Sequence, residues 1–369
     1  MVLFKNLWDT PMMKKIIIIT GAFLGVFIFL MMFVSCSSNG KTYTYEELEE
    51  LLVEKVMRKY SDSTNLPAIN ESTEVSMDSL VAVGVMSSLK DYTKNGESCF
   101  AKVTIYNNNG YYLYVPSINC AASYKTKTLS DTLINDSLVT SGNGLYLVND
   151  EYIFKGDNVK NFIKVNDRLY KIIKINKDGS VKLLTVKSNF SSPWDNRYNI
   201  DRNSNVGINN YFYNNINSRI KEKLEEVYND ESIYTKEDKA YFIPKEFCVG
   251  KRSINESDNS GNIECSVLSP KQPLGLISLY EYFNASLDPN CNAVESESCT
   301  NYNYFDNDIN SYWTSTADKD TTHKVFKILS GSISLTNANS STTIKPVVNI
   351  NGDNVIKGGS GTEEDPYTI

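Results

Sequence analysis

The chain has 369 residues, too many for one ordinary domain of roughly 100–200, and its 37 basic and 44 acidic side chains leave a net charge of -7. That balance excludes a broad attraction to nucleic acid, which rests on phosphate neutralisation by Lys and Arg. The single histidine, His323, stands in a polar run and reads as a solvated loop residue, so histidine triads and paired-histidine metal sites are excluded as well.

Residues 1–15 read as a cytoplasmic leader and 16–36 as a membrane anchor or lipoprotein signal. The run 16–34 carries no charge, and its roughly 19 residues at about 1.5 Å each span about 28 Å, close to the hydrocarbon thickness of a bilayer. Lys14 and Lys15 precede it and the next basic residue is Lys41, so the positive-inside rule leaves the bulk of the chain outside the cell. The end of the run, Phe33-Val34-Ser35-Cys36, looks like a bacterial lipobox in which Cys36 would be lipidated after cleavage. An uncleaved signal anchor with Cys36 as a membrane-edge thiol is the other reading. In both, membrane lipid is the first expected partner.

Residues 37–74 read as a helical stalk and linker. Thr44 is an N-cap candidate, acidic residues follow it, and Leu48, Leu52 and Val56 recur on one face of a helix over 44–60. Residues 75–124 form a small hairpin unit: a second helix over 78–89, then two β-rich runs, 100–106 and 111–115, around a turn ending in Asn109-Gly110. Residues 125–142 are polar and read as a linker.

The remainder, 143–369, reads as one domain. Strand patterns occur at 161–175, broken by Asn166-Asp167, and at 181–186; helical patterns cover 209–228 and 276–283; strands return at 312–315, 325–329 and 344–350. Strands and helices in irregular order make the expected class α+β.

The alternating oxygen side chains Asn199, Asp201, Asn203 and Asn205 suggest an oxygen-ligated cation site, with calcium the fitting ion. The plainer reading is a loop closed by Asx turns. The EF-hand pattern is not met, because the required glycine and glutamate fall on Ser204 and Asn210. No cofactor is otherwise expected. Neither a nucleophile with a base nor a glycosidase carboxylate pair can be picked out, so the chain is not expected to be an enzyme.

In order, Phe162-Ile163-Lys164-Val165 with Leu169-Tyr170-Lys171-Ile172, Trp194-Asp195-Asn196-Arg197, Asn210-Tyr211-Phe212, Gly275-Leu276-Ile277-Ser278, Tyr312-Trp313-Thr314-Ser315, Lys345-Pro346-Val347-Val348 and Gly358-Gly359-Ser360-Gly361 resemble a family of bacterial surface domains of unknown function. The resemblance covers about 143–369 and implies a fold similar to C-type lectins and to the formylglycine-generating-enzyme-like group. Lys345 departs from the pattern, which has an arginine before the late proline. Because lectin-like folds place sugar in loops before a Trp-bearing strand, Asp306, Asp308, Asn310 and Trp313 become the expected ligand-binding residues. Trp194 and Trp313 also read as fold-defining core residues.

With Cys36 at the membrane edge, the other six cysteines fall as chain neighbours: Cys99 with Cys120, Cys248 with Cys265, and Cys291 with Cys299. Three such disulfides suit an oxidising exterior. The expectation is therefore a membrane-tethered extracellular binding or adhesion protein whose lectin-like domain recognises a glycan or a protein. A structural or assembly component of the cell envelope is the alternative, and a degenerate carbohydrate-active enzyme the weaker one.

Overall fold

The computed structural model describes residues 42–61, 63–93, 97–213, 215–294, 296–305 and 311–369. The anchor segment, Cys36, and Asp306, Asp308 and Asn310 lie outside the described residues. Among the described residues, no helix is long and apolar enough to cross a membrane.

Helix α1 (Tyr45–Lys59) begins at a reciprocal cap: Thr44 Oγ1 accepts the Glu47 N–H at 3.1 Å, and the Glu47 carboxylate accepts the Thr44 N–H at 2.8 Å. Leu48, Leu52 and Val56 are fully buried in a core shared with the hairpin β2 (Phe100–Asn108) and β3 (Tyr111–Asn119). The helix therefore does not stand apart as a stalk. It lies on the hairpin, and the buried Glu49 carboxylate accepts the hydroxyls of Tyr124, at 2.9 Å, and Thr126.

The hairpin turns on Asn109 and Gly110, both at positive φ (54° and 93°), the two-residue geometry that Asn-Gly favours. A third strand, β1 (Ser72–Ser76), pairs antiparallel with β2. The helix expected over 78–89 is the shorter α2 (Met77–Ala82), which stops where Gly84 turns the backbone left-handed at φ 69°.

Residues 125–142 include helix α3 (Leu129–Ser137), whose Leu129 and Leu133 are fully buried in the larger core. That core is built on a seven-stranded sheet. Its main path runs β16 (Val347–Ile350), β8 (Val181–Thr185), β7 (Arg168–Ile175), β5 (Glu151–Lys155) and β4 (Gly144–Val148); β6 (Phe162–Val165) pairs with β7 and with the last strand, β17 (Tyr367–Thr368). A five-stranded sheet has the order β14 (Ser332–Asn337), β13 (Lys324–Leu329), β12 (Tyr312–Ala317), β15 (Ser341–Thr343) and β9 (Ser191–Pro193).

The helix expected over 209–228 begins late. Asn215 is left-handed at φ 63°, β10 (Phe212–Tyr213) pairs antiparallel with β11 (Ile216–Asn217), and Ser218 caps α4 (Arg219–Asn229). Helices α5 (Lys236–Tyr241) and α6 (Leu279–Asn284) complete the α+β fold.

The two cores are joined. Tyr106 of the hairpin donates its hydroxyl to Asp353, Asn108 donates its side-chain amide to the Ala240 carbonyl at 2.6 Å, and α5 packs on β2 and β3. Three disulfides link Cys99 to Cys120, Cys248 to Cys265, and Cys291 to Cys299, the pairing read from the chain order.

Candidate functional site

Four strands of the large sheet place Phe162, Lys171, Leu184 and Val347 as direct cross-strand partners in one row. Such a row occupies one face of the sheet, because side chains alternate along each strand. Phe162, Lys171 and Leu184 open onto a cavity of about 530 Å³, within the range of ligand-sized pockets. Buried Phe305, Tyr312 and Lys345 line it too, and its rim carries the exposed Asp157, Lys160, Lys187, Glu363 and Glu364.

The rim loop with the two glutamates is fixed by glycine. Gly361 has φ 79°, and a Cβ there would sit 2.5 Å from the Tyr367 ring and 2.8 Å from the Lys160 carbonyl oxygen. Its own carbonyl accepts the Phe162 N–H at 2.9 Å, which ties the loop to β6. On the opposite wall, Thr185 N–H donates to the Pro346 carbonyl at 3.0 Å and holds the segment bearing Lys345 beside β8.

Two lysines dominate the electrostatics. Lys171 donates from Nζ to the Tyr304 carbonyl at 2.7 Å, and its ammonium lies 5.5 Å from the Phe162 ring centroid. Burial pulls its pKa down to about 8, against a smaller upward pull from Glu363. Lys345, 6% exposed, sits 4.9 Å over the Tyr312 ring; burial and then the charge of Lys171 bring its pKa to about 8 as well. Both lysines thus give up part of their hydration to burial, and each lines the same cavity. The Tyr312 hydroxyl is fully buried and has no hydrogen-bond partner among the described residues.

The other cavities differ in chemistry. One of about 730 Å³ lies where the hairpin meets the C-terminal region, and there Tyr106 is hydrogen-bonded to Asp353 and Lys245 is paired with Asp178. A groove of about 660 Å³ beside α1 carries the acidic Glu46, Glu50 and Glu54 with the apolar Val53, Met57 and Leu113. Elsewhere Lys174, Lys182, Glu151 and Glu281 form a buried ion cluster in which Glu281 also caps α6 through Ser278, a structural assignment for all four.

The expected ligand residue Trp313 is fully buried and donates its indole N–H to the Ser192 carbonyl at 2.9 Å, so it belongs to the core and not to a sugar platform. Its neighbour Tyr312 faces the cavity instead. Trp194 packs edge-on against Trp313, with ring centroids 6.0 Å apart. In the 199–205 loop, Asn199 is turned inward: its amide donates to the carbonyls of Gly207 (2.7 Å) and Thr322 (3.1 Å), and its oxygen accepts the Arg202 N–H. Asn203 accepts the Tyr198 hydroxyl, and Asp201, Asn203 and Asn205 are all exposed. These contacts close an Asx-turn loop and do not gather four oxygens on one point.

Among the described residues, the one close grouping of three acid or thiol ligands is Glu97 with Cys99 and Cys120, whose sulfurs are joined in a disulfide. His323 is not a solvated loop residue. It is 7% exposed, because the Asn209 amide gathers the carbonyls of Asp318, Thr321 and Lys324 and folds that loop onto the protein; burial lowers the His323 pKa.

Lys171 and Lys345 were not among the residues expected to bind. No family model, curated protein or solved structure matches the chain.

Proposed function

We propose that this protein is tethered to the cell membrane by 16–36 and binds an extracellular ligand, a glycan or a protein, through a lectin-like domain spanning 143–369. The observation that carries the reading is the cavity of about 530 Å³ whose inner wall combines two partly dehydrated lysines with three aromatic rings. Polar groups converging in an otherwise apolar pocket are the usual make-up of a recognition site. The three disulfides suit an oxidising exterior, and the uncharged run 16–34 with its flanking lysines suits an anchor whose C-terminal side is outside.

The test is an array of bacterial and host glycans and of extracellular proteins, probed with the full chain in detergent. Saturable binding that is lost in Lys171→Gln is expected. A blank array together with stoichiometric envelope subunits in the purified material would replace this reading with the assembly role. Turnover of an arrayed polysaccharide, abolished by a single carboxylate substitution, would replace it with the enzymatic one.

A further inference from the structure

We propose that the outer edge of β3 is a docking site for an extended segment of a partner protein, which joins the sheet as an added strand and carries basic residues at alternate positions.

β3 ends its three-stranded sheet and pairs only with β2. The hairpin sets the direction of its backbone groups. Asn108 and Tyr111 flank a two-residue turn and bond to each other, so every second residue after Tyr111 also bonds toward β2. Tyr112, Tyr114, Pro116 and Ile118 therefore aim their backbone groups at the outer edge. At Ile118 this edge is occupied: its N–H donates to Thr126 Oγ1 at 2.7 Å, and its carbonyl accepts the Thr126 N–H at 2.9 Å. The N–H and carbonyl groups of Tyr112 and Tyr114, and the Pro116 carbonyl, have no partner among the described residues. A row of this kind is what an added strand takes up, and Pro116 removes only one donor from it.

The groove of about 660 Å³ runs along this edge, because its lining comes from both faces of the sheet. Tyr114 and Pro116 share the face of Ile118, which packs with α1. Leu113, the cross-strand partner of Tyr106, points to the other face, where Tyr106 meets Asp353. One wall is α1, with exposed Glu46, Glu50 and Glu54; the other is a ladder in which the Ile356 N–H donates to the Lys127 carbonyl at 2.9 Å. An extended chain fits between them.

Charge selects the occupant. The three glutamates recur every fourth residue, about 6 Å per step along the helix, and side chains on one face of a strand repeat at about 6.8 Å. Successive carboxylates thus match basic side chains at alternate positions of the partner. The positions between them face the wall of half-buried Val355 and Ile356, which suits apolar residues, and Lys127 and Lys357 on that side disfavour an unbroken basic run. Glu54 already pairs with Arg58 at 2.8 Å, but both are exposed, and such a pair is easily rearranged. A second copy of this chain is the poorer occupant. Two β3 edges paired about a two-fold axis keep both copies of α1 on one face and bring their acidic stripes together.

The experiment uses the full chain in detergent with synthetic peptides of about nine residues, long enough to cover the edge. Fluorescence anisotropy gives affinity, and hydrogen exchange read by mass spectrometry gives location. A peptide alternating Lys and Val should bind at least about tenfold more tightly than one alternating Glu and Val, and than one with its lysines and valines in separate blocks. N-methylation of its backbone amides should cost about tenfold or more, and exchange at Tyr112 and Tyr114 should slow on binding. Glu50→Lys gains favourable helical neighbours in Glu46 and Glu54, so the fold is kept while this peptide weakens about tenfold.

Equal binding of the three peptides, an unchanged affinity in Glu50→Lys, protection confined to other segments, or no binding would overturn the proposal. So would protection of Tyr112 and Tyr114 that rises with protein concentration and needs no peptide, which would make this edge an interface between copies of the chain.

Discussion

Lys171 and Lys345 each carry a cost in the folded state, and its sign is open to measurement. Folding lowers their pKa from 10.5 to about 8. Between those values the unfolded chain holds more protons than the folded one, so their contribution to stability rises with pH across that window and is most unfavourable below about pH 8. Lys171→Met should therefore raise the thermal midpoint at pH 7 by a few degrees despite freeing the Tyr304 carbonyl, and the gain should shrink toward pH 10. A lower midpoint at pH 7, read by differential scanning fluorimetry, would mean that Lys171 serves the fold and not a ligand.

The same residues explain why this site was hard to read from the chain. Lys171 looks like a solvent-facing member of an alternating strand until the register sets it between Phe162 and Leu184. Lys345 offered a better signal, a lysine between Ile344 and the run Pro346-Val347-Val348. Its signal is a charge set within an apolar stretch. Trp313 misled for the opposite reason: a large aromatic beside a polar loop suits a sugar platform, but its indole is spent on the Ser192 carbonyl.

Among the elements, those whose signals are local were legible. The cap at Thr44, the Asn109-Gly110 turn and the strands around Asn166-Asp167 all stand where side-chain chemistry and period placed them. The hairpin of β4 and β5 turns on Asn149 and Asp150, both left-handed at φ 51° and 66°, a local signal of the same kind. The helix expected from residue 209 fails at its start because Phe212 and Ile216, although spaced four apart, are separated by a left-handed Asn215.

The smaller core, formed by α1 and the hairpin, has few buried side chains and is held by the Cys99–Cys120 disulfide across a sequence separation of 21. Replacing both cysteines with serine should destabilise this unit by about 3 kcal/mol, seen as a lower urea midpoint for the Tyr45 and Tyr124 environment. An unchanged midpoint would show that the α1 contacts alone suffice.

At the scale of the whole molecule, the two cores are locked through Tyr106 with Asp353 and Asn108 with Ala240, so the C-terminal region is held on a folded base and not at the end of a free helix. The cavity opens between β6, β7, β8 and the glycine-bearing C-terminal turn, segments far apart in the chain that only the completed sheet brings together. This explains why fold class and disulfide pairing, which rest on composition and neighbouring residues, could be read early. The cavity, which rests on register, could not.

The most direct measurement is mass-spectrometric lysine footprinting of the full chain, with an acylating reagent, in the presence and absence of the tightest ligand from the array. The ligand should slow acylation of Lys171 at least about tenfold while lysines remote from the cavity, such as Lys102 and Lys223, keep their rates. Unchanged labelling of Lys171 with protection elsewhere would contradict the cavity as the place where this protein binds.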